Sequence, residues 1–279
     1  MADGTAPTPV ELPRTTVTLP RHLAHPETKE ISKDVLRAVE PALADVPLEY
    51  IHGILHEAGP SMLQVLSSVT AAPAKDSLPK ELSIVVKDIS AEMPTHMMAV
   101  YSRLPTQLTR RRVTLYPVHN VMLASHCANL PSLPDSHPII PETPGSSITV
   151  PVVPLCIPSP QTYPHLSAYL YIKRADILLS QLLPCPPPPA VATPPDDSES
   201  AQKDAIMTFA GKLAATYTPH ALLQYAMRVN GLWRNACALG IFDDGLWATM
   251  DLAWEIVLCA LAIATGNPQA VEATPASSS

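Results

Sequence analysis

Nine side chains of this sequence have types and spacings with chemical potential. His52 and His56 stand four apart in HGILHEAG, a spacing that puts two imidazoles over one metal ion when the segment is helical. Their order differs from the HExxH arrangement, because Glu57 follows the second histidine, and no third ligand is near in sequence. His119, His126 and Cys127 share one short segment, with Cys156 further on. A thiolate nucleophile needs a base within hydrogen-bond reach and a group to orient that base, and the sequence supplies no such set. A small buried cysteine is the plainer reading. Asp243, Asp244 and Asp251 resemble a carboxylate cluster, but an aspartate at the start of a helix caps free backbone N–H groups and meets the positive dipole end. No GxSxG, P-loop or GxGxxG is present. The reading from residues is therefore no catalytic residue, no metal ligand, no cofactor and no enzyme. An enzyme with an unrecognised site is the alternative, and its mark would be a deep polar pocket holding several perturbed titratable groups.

Charge narrows the partners. The net charge is -7 with only 15% charged residues, so the chain has no general attraction for nucleic acid or an anionic surface. Arg110, Arg111 and Arg112, with Arg103 and Lys87 upstream, form the one dense basic run, which reads as a solvated strand edge, a contact patch or a weak nuclear-import signal. A direct DNA-binding transcription factor is a further alternative, against which the acidity and the lack of zinc-finger or basic-zipper patterns count. Five cysteines without a CxxC pair and an N-terminus without an apolar signal core suggest free thiols in a reducing compartment. Leu252–Ala264 contains Glu255 and is read as a core helix too short to span a bilayer, so no membrane partner is expected.

The elements that position these residues are set by 33 prolines against 9 glycines, which imply short elements and extended connections. Residues 1–26 read as a disordered tail. Residues 27–75 read as short helices punctuated by Pro41, Pro47 and Gly59-Pro60, with Ile31, Val35, Leu36 and Val39 on one face. Strands are expected at Leu82–Asp88, at His96–Ser102 paired with it, and at Arg110–Pro117. A short helix over Val118–Leu130 and a loop over 131–147 follow. Ile148–Ile157 is extended, its prolines demoting it to an edge or irregular segment. Ser159–Leu183 opens as a helix with Ser159 capping and Pro160 in the first turn.

Residues 185–200 read as a proline-rich linker and 201–266 as a helical region, with Thr218 and Asp243 or Asp244 as caps and Gly266 ending it. Residues 267–279 read as a second tail. The stripe Ala221, Leu222, Tyr225, Ala226, Val229, Leu232, Trp233, Ala236 must bury against something, as must Val257, Leu258, Leu261, Ala262. Tyr163, Tyr169, Tyr171, Trp233, Trp247 and Trp254 read mostly as core, with any that reach the surface able to anchor a partner. The fold class is α+β, predominantly helical, with a small sheet and N- and C-terminal helical regions.

Two segments resemble the BTB/POZ fold, a small helical domain with a short sheet that mediates protein–protein contacts. VHNVMLASHC carries His119, Leu123-Ala124 and, in the usual place of a serine, Cys127; ITVPVVPLCIPSPQTYPHLSAYLYIKR carries Ser159-Pro160, Tyr163, Leu166 and Tyr169-Leu170-Tyr171. The implied BTB/POZ-like core spans 80–184. Its proline-rich loop at 131–147 and proline-broken strand at 150–158 depart from an ordinary BTB domain, so the usual dimer and cullin-binding surfaces do not carry over; homodimerisation stays open.

The chain as a whole resembles the fungal clampless proteins in PKELSIVVKD, YPVHNVMLASHCANLPSLP, VPVVPLCIPSPQTYPHLSAYLYIKRADILLSQLLP and TPHALLQYAMRVNGLWRNACALGIFDDGLWATMDLAWEIVLCALAIATG. That resemblance implies a role in clamp-connection formation during sexual development, downstream of the mating-type program. It also implies protein partners including transcription regulators, no catalytic activity, and a nuclear or cytoplasmic location. It names no partner-binding residue, and an exposed apolar patch near the BTB-like helices is the expected mark of such a surface.

Overall fold

Serine, threonine and aspartate caps open three of the helices, two of them, at Thr218 and Asp243, where expected. Ser32 accepts the Asp34 N–H ahead of α1 (Lys33–Val39), and Pro47 opens α2 (Leu48–Ser67). The computed structural model describes residues 18–71, 77–103, 112–192 and 199–266. The remaining helices are α3 (Asn120–His126), α4 (Tyr163–Ile172), α5 (Ala175–Leu182), α6 (Pro189–Ala192), α7 (Glu199–Thr216), α8 (Pro219–Leu239) and α9 (Asp244–Ala264). Thr218 caps α8 by accepting the Ala221 N–H, and Asp243 caps α9 by accepting from Leu246. Gly240 closes α8 at φ 63, where a residue without Cβ is favoured.

The strands are β1 (Val69–Ala71), β2 (Glu81–Val86), β3 (His96–Tyr101), β4 (Thr114–Val118) and β5 (Ser146–Cys156), in sheet order β1-β2-β5-β3-β4. Three expectations fail here. β3 does not pair with β2, because β5 lies between them. β5 is also not an edge, despite Pro151 and Pro154. Its first half pairs antiparallel with β2, from Val86↔Ser146 to Glu81↔Pro151, and its second half pairs parallel with β3, from Met97↔Val152 to Tyr101↔Cys156. Each half has one neighbour, so a proline's missing donor is accommodated on the unpaired side. β1, in turn, falls where no strand was expected.

Both faces of the sheet are covered, so the pleat sorts neighbouring residues into two cores. Met98 and Val100 of β3 join the large cluster, while Met97 and Ala99 join a smaller one with Val65, Ile84, Val86 and Val150. α2 continues through Gly59-Pro60, contrary to the expected break, because Ile51, Leu55, Met62, Val65 and Leu66 bury along it on both sides of the proline. The Ser159–Leu183 stretch is not one helix: a 3₁₀ turn at Pro160–Thr162 precedes α4, and Lys173, at φ 49, separates α4 from α5. Ser159 caps nothing with its side chain.

The α8 stripe buries Leu222, Ala226, Val229, Leu232 and Ala236, with Trp233 and Tyr225 partly covered. α9, at 21 residues, is the one helix among the described residues long and apolar enough to cross a membrane. Its length exceeds the Leu252–Ala264 stretch, yet Met250, Trp254, Ile256, Val257 and Ala260 are buried, chiefly against α7 and α8. The stretches read as disordered or linking also contribute to this core. Leu23 is buried, and Val191 of α6 is buried within the 185–200 segment. The 267–279 tail lies outside the described residues.

Candidate functional site

Three buried polar residues, His119, Ser125 and His126, gather on α3, which packs against α2 and α4. α3 carries His119 at its N-cap and His126 in its last turn, and α2 packs across it. His119 Nε2 donates to the Glu92 carbonyl at 3.0 Å, which leaves Nδ1 as the acceptor for the Tyr171 hydroxyl at 3.0 Å. Burial pushes the His119 pKa down to about 4, partly opposed by the Glu92 carbonyl. His126 donates from Nδ1 to the Met122 carbonyl at 2.9 Å. Burial, with the charge of Lys173 and the His52 ring, pushes His126 down to about 3. Its Nε2 is buried without a hydrogen-bond partner among the described residues.

The sequence candidates separate. His52 donates to the Ser125 carbonyl at 2.7 Å and stacks on His126 at 4.3 Å between ring centroids, while His56, one turn on, is exposed. Cys127 is buried, and that burial pushes its thiol up to about 12, far from a ready nucleophile; Cys156 ends β5, half-buried. Asp243 serves three partners: the Leu246 N–H, the Tyr169 hydroxyl at 2.7 Å and Lys173 Nζ at 2.7 Å. Burial raises its pKa, but these contacts together lower it below the usual carboxylate value. Asp244 is exposed in the first turn of α9, and Asp251 meets His25 at 2.9 Å. Among the described residues no group of three or more His, Cys, Asp or Glu is placed to hold a metal ion. Lys87, Arg103 and Arg112 are exposed, and Arg110 and Arg111 lie outside the described residues.

Two surface features were not read from the sequence. A cleft of about 400 Å³ beside α3 is lined by Val39, Leu43, Met93, His119, Val121 and Ile140, among others. Next to it Ile139 and Ile140 are 86% and 62% exposed, in the segment expected only as a loop. Elsewhere, residues 18–26 cross the C-terminal helices. Trp254 and Trp233 donate their indole N–H groups to the Pro20 and Ala24 carbonyls at 3.1 and 2.9 Å. The disordered tail expected through residue 26 is corrected from Thr18 onward, because Leu23 and these carbonyls find partners in distant sequence that a local composition rule cannot see.

α4 and the turn before it bond both to α3 and to the C-terminal helices. Ser159 and Thr162 bond to Asn235 of α8, Tyr169 and Lys173 to Asp243, and Tyr171 to His119. These contacts define a helix-rich α+β protein in which a mixed five-stranded sheet and the C-terminal helices meet around one central helix. The chain belongs to the clampless family: residues 26–158 match the Clampless protein 1 N-terminal domain and residues 176–278 the Clampless protein 1 C-terminal domain. Comparison with curated proteins and with solved structures finds no match.

Proposed function

We propose that this protein is a non-enzymatic interaction protein that acts in clamp-connection formation during fungal sexual development, by binding transcription regulators of the mating-type pathway in the nucleus or cytoplasm. Membership of the clampless family supports the process. The buried polar network supports a non-catalytic reading: His119, His126, Cys127 and Tyr171 are buried and, through most of their polar atoms, committed to the backbone or to one another. The BTB/POZ-like core belongs to the same proposal. Its support is the order of elements, in which β4 leads directly into α3 and β5, through a 3₁₀ turn, into α4, so each resembling segment joins a strand to a helix.

The observation that carries the proposal is the pair Ile139 and Ile140, adjacent in sequence and largely exposed, with Ile140 lining the cleft of mixed polarity beside α3. Contiguous exposed apolar side chains are a mark of a protein-interaction site. The test is capture from mating hyphae with the tagged full chain and with an Ile139→Asp, Ile140→Asp variant. Retention of transcription regulators by the unaltered chain and its loss in the variant is expected. Equal retention by both removes the surface, and a turnover activity abolished by changing one polar residue removes the proposal.

A further inference from the structure

Three tryptophans of α8 and α9 converge on one stretch of chain. Besides the Trp254–Pro20 and Trp233–Ala24 hydrogen bonds, the Trp247 ring lies against His25 with centroids 4.6 Å apart. Between the two bonded carbonyls, Leu23 is only 4% exposed. Residues 18–31 form no helix or strand, and among the described residues no backbone–backbone hydrogen bond ties them down. The strap is thus held as a groove holds a foreign extended peptide, by side-chain donors on its carbonyls and by apolar anchors. Leu23 is buried and Leu19 and Ile31 pack against the same core, while Lys29 donates to Asn129 at 2.7 Å. Aromatic-lined grooves recognise proline-rich extended segments in this way, because such backbone leaves its carbonyls free and has little conformational freedom to lose. Pro20 and Pro26 bracket the strap and restrict it likewise.

The far end of the groove opens into a cleft of about 530 Å³ rimmed by Asp243, Asp244 and Asp251. Two details leave the strap replaceable. The His25–Asp251 contact is solvent-exposed, at 52% and 43% of the two side chains. Arg21 Nη1 is buried with no hydrogen-bond acceptor among the described residues.

We propose that the α8–α9 groove is a peptide-binding site which residues 18–26 occupy within the chain, and which a proline-flanked extended segment of a partner protein occupies when the strap lifts. The partner segment carries an apolar residue between two carbonyls read by Trp254 and Trp233, followed by a histidine or basic side chain for Asp251. This inference rests on the reading of the chain as a protein-binding regulator and adds the chemistry of the partner.

The probe is a fluorescent synthetic peptide of residues 18–29, TLPRHLAHPETK, titrated into the full chain, into Leu23→Asp and into the milder, surface-confined His25→Ala. Both variants weaken the competing strap, so the peptide binds Leu23→Asp at least about tenfold more tightly than the unaltered chain, with His25→Ala between them. Adding Trp233→Phe, which removes one indole donor, weakens that binding by up to about tenfold. If Leu23→Asp does not fold, the His25→Ala and Trp233→Phe comparison decides alone. Equal binding to all chains, no binding to any, or indifference to Trp233→Phe overturns the proposal. Concentration-dependent dimerisation of the unaltered chain that is lost in His25→Ala assigns the groove to a second copy's strap and overturns the partner reading. Capture through Ile139 and Ile140 is read on a separate face, so its failure and the failure of the groove are told apart.

Discussion

The Tyr171 hydroxyl accepts the His119 backbone N–H at 3.1 Å and donates to Nδ1 of the same residue at 3.0 Å, so one phenol satisfies two polar atoms at the N-cap of α3. Tyr171 lies in the last turn of α4 and is fully buried, so this pair ties the helix between the two family matches to the helix that follows β4.

Tyr171→Phe therefore leaves a buried N–H and a buried imidazole nitrogen without partners. Each orphaned group costs about 1–3 kcal/mol. The expected result is a lower urea midpoint with an unchanged m value, because a well-packed ring of similar shape remains. A midpoint within error of the unaltered chain would remove the pair from the account of stability.

The neutral histidines make stability depend on acid. Their folded pKa values, about 4 for His119 and about 3 for His126, lie below the unfolded value near 6.5. Above pH 6.5 both states are neutral and the contribution is fully present. As pH falls from 6.5 towards 4, the unfolded chain takes up protons that the fold refuses, and stability drops by about 1.4 kcal/mol per pH unit for each histidine. His96, pushed in the same direction by burial, adds to the slope. Urea melts at pH 7, 6, 5 and 4 should show His126→Leu losing about one histidine's share of that slope. At pH 7 the variant should hold its stability, since the substitution also removes an unpartnered buried nitrogen. Parallel pH curves for the two chains would contradict this.

Two glycines of α2 give opposite outcomes for the same change. A Cβ on Gly59 would stand 1.9 Å from the Tyr171 carbonyl oxygen, a backbone obstacle that no rotamer relieves, whereas a Cβ on Gly53 meets nothing within 4 Å. Gly59→Ala should cost about 3 kcal/mol as α2 is forced off α4. Gly53→Ala should raise stability by about 0.4–1 kcal/mol through helix propensity and a less free unfolded chain. Thermal melts of the two variants moving the same way would refute the close approach.

Local signals made the C-terminal caps legible in the sequence, though not that of α1 at Ser32, and the cap expected at Ser159 does not form. Thr218, Asp243 and Gly240 act where their types require, and the α8 stripe buries as its 3.6-residue period demands. Pairing across long separations was not legible. β5 reads as a spoiled strand because proline rules assume one partner along its length, whereas β5 changes partner at Val152. The strap is invisible for the same reason: residues 18–26 have no period of their own, and their anchors lie more than 200 residues away. Ile139 and Ile140 stand in a patternless segment, so only exposure in three dimensions separates them from core.

Asn235 tests whether the two matched segments fold as one unit. It is fully buried in α8, accepts the Ser159 N–H at 2.9 Å, and donates to the Ser159 carbonyl at 2.7 Å and the Thr162 hydroxyl at 2.9 Å. All three bonds cross from the C-terminal match to the turn that opens α4, outside both matches. At about 1 kcal/mol for each bond, plus a small cavity, Asn235→Ala should cost about 3–4 kcal/mol. Because α4 also holds α2 and α3, that loss should appear as a shift of one cooperative transition, seen alike by tryptophan fluorescence from α8–α9 and by far-ultraviolet circular dichroism of the whole chain. If the fluorescence transition moves and the dichroism transition splits in two, the C-terminal helices unfold on their own, and the central helix does not couple the halves.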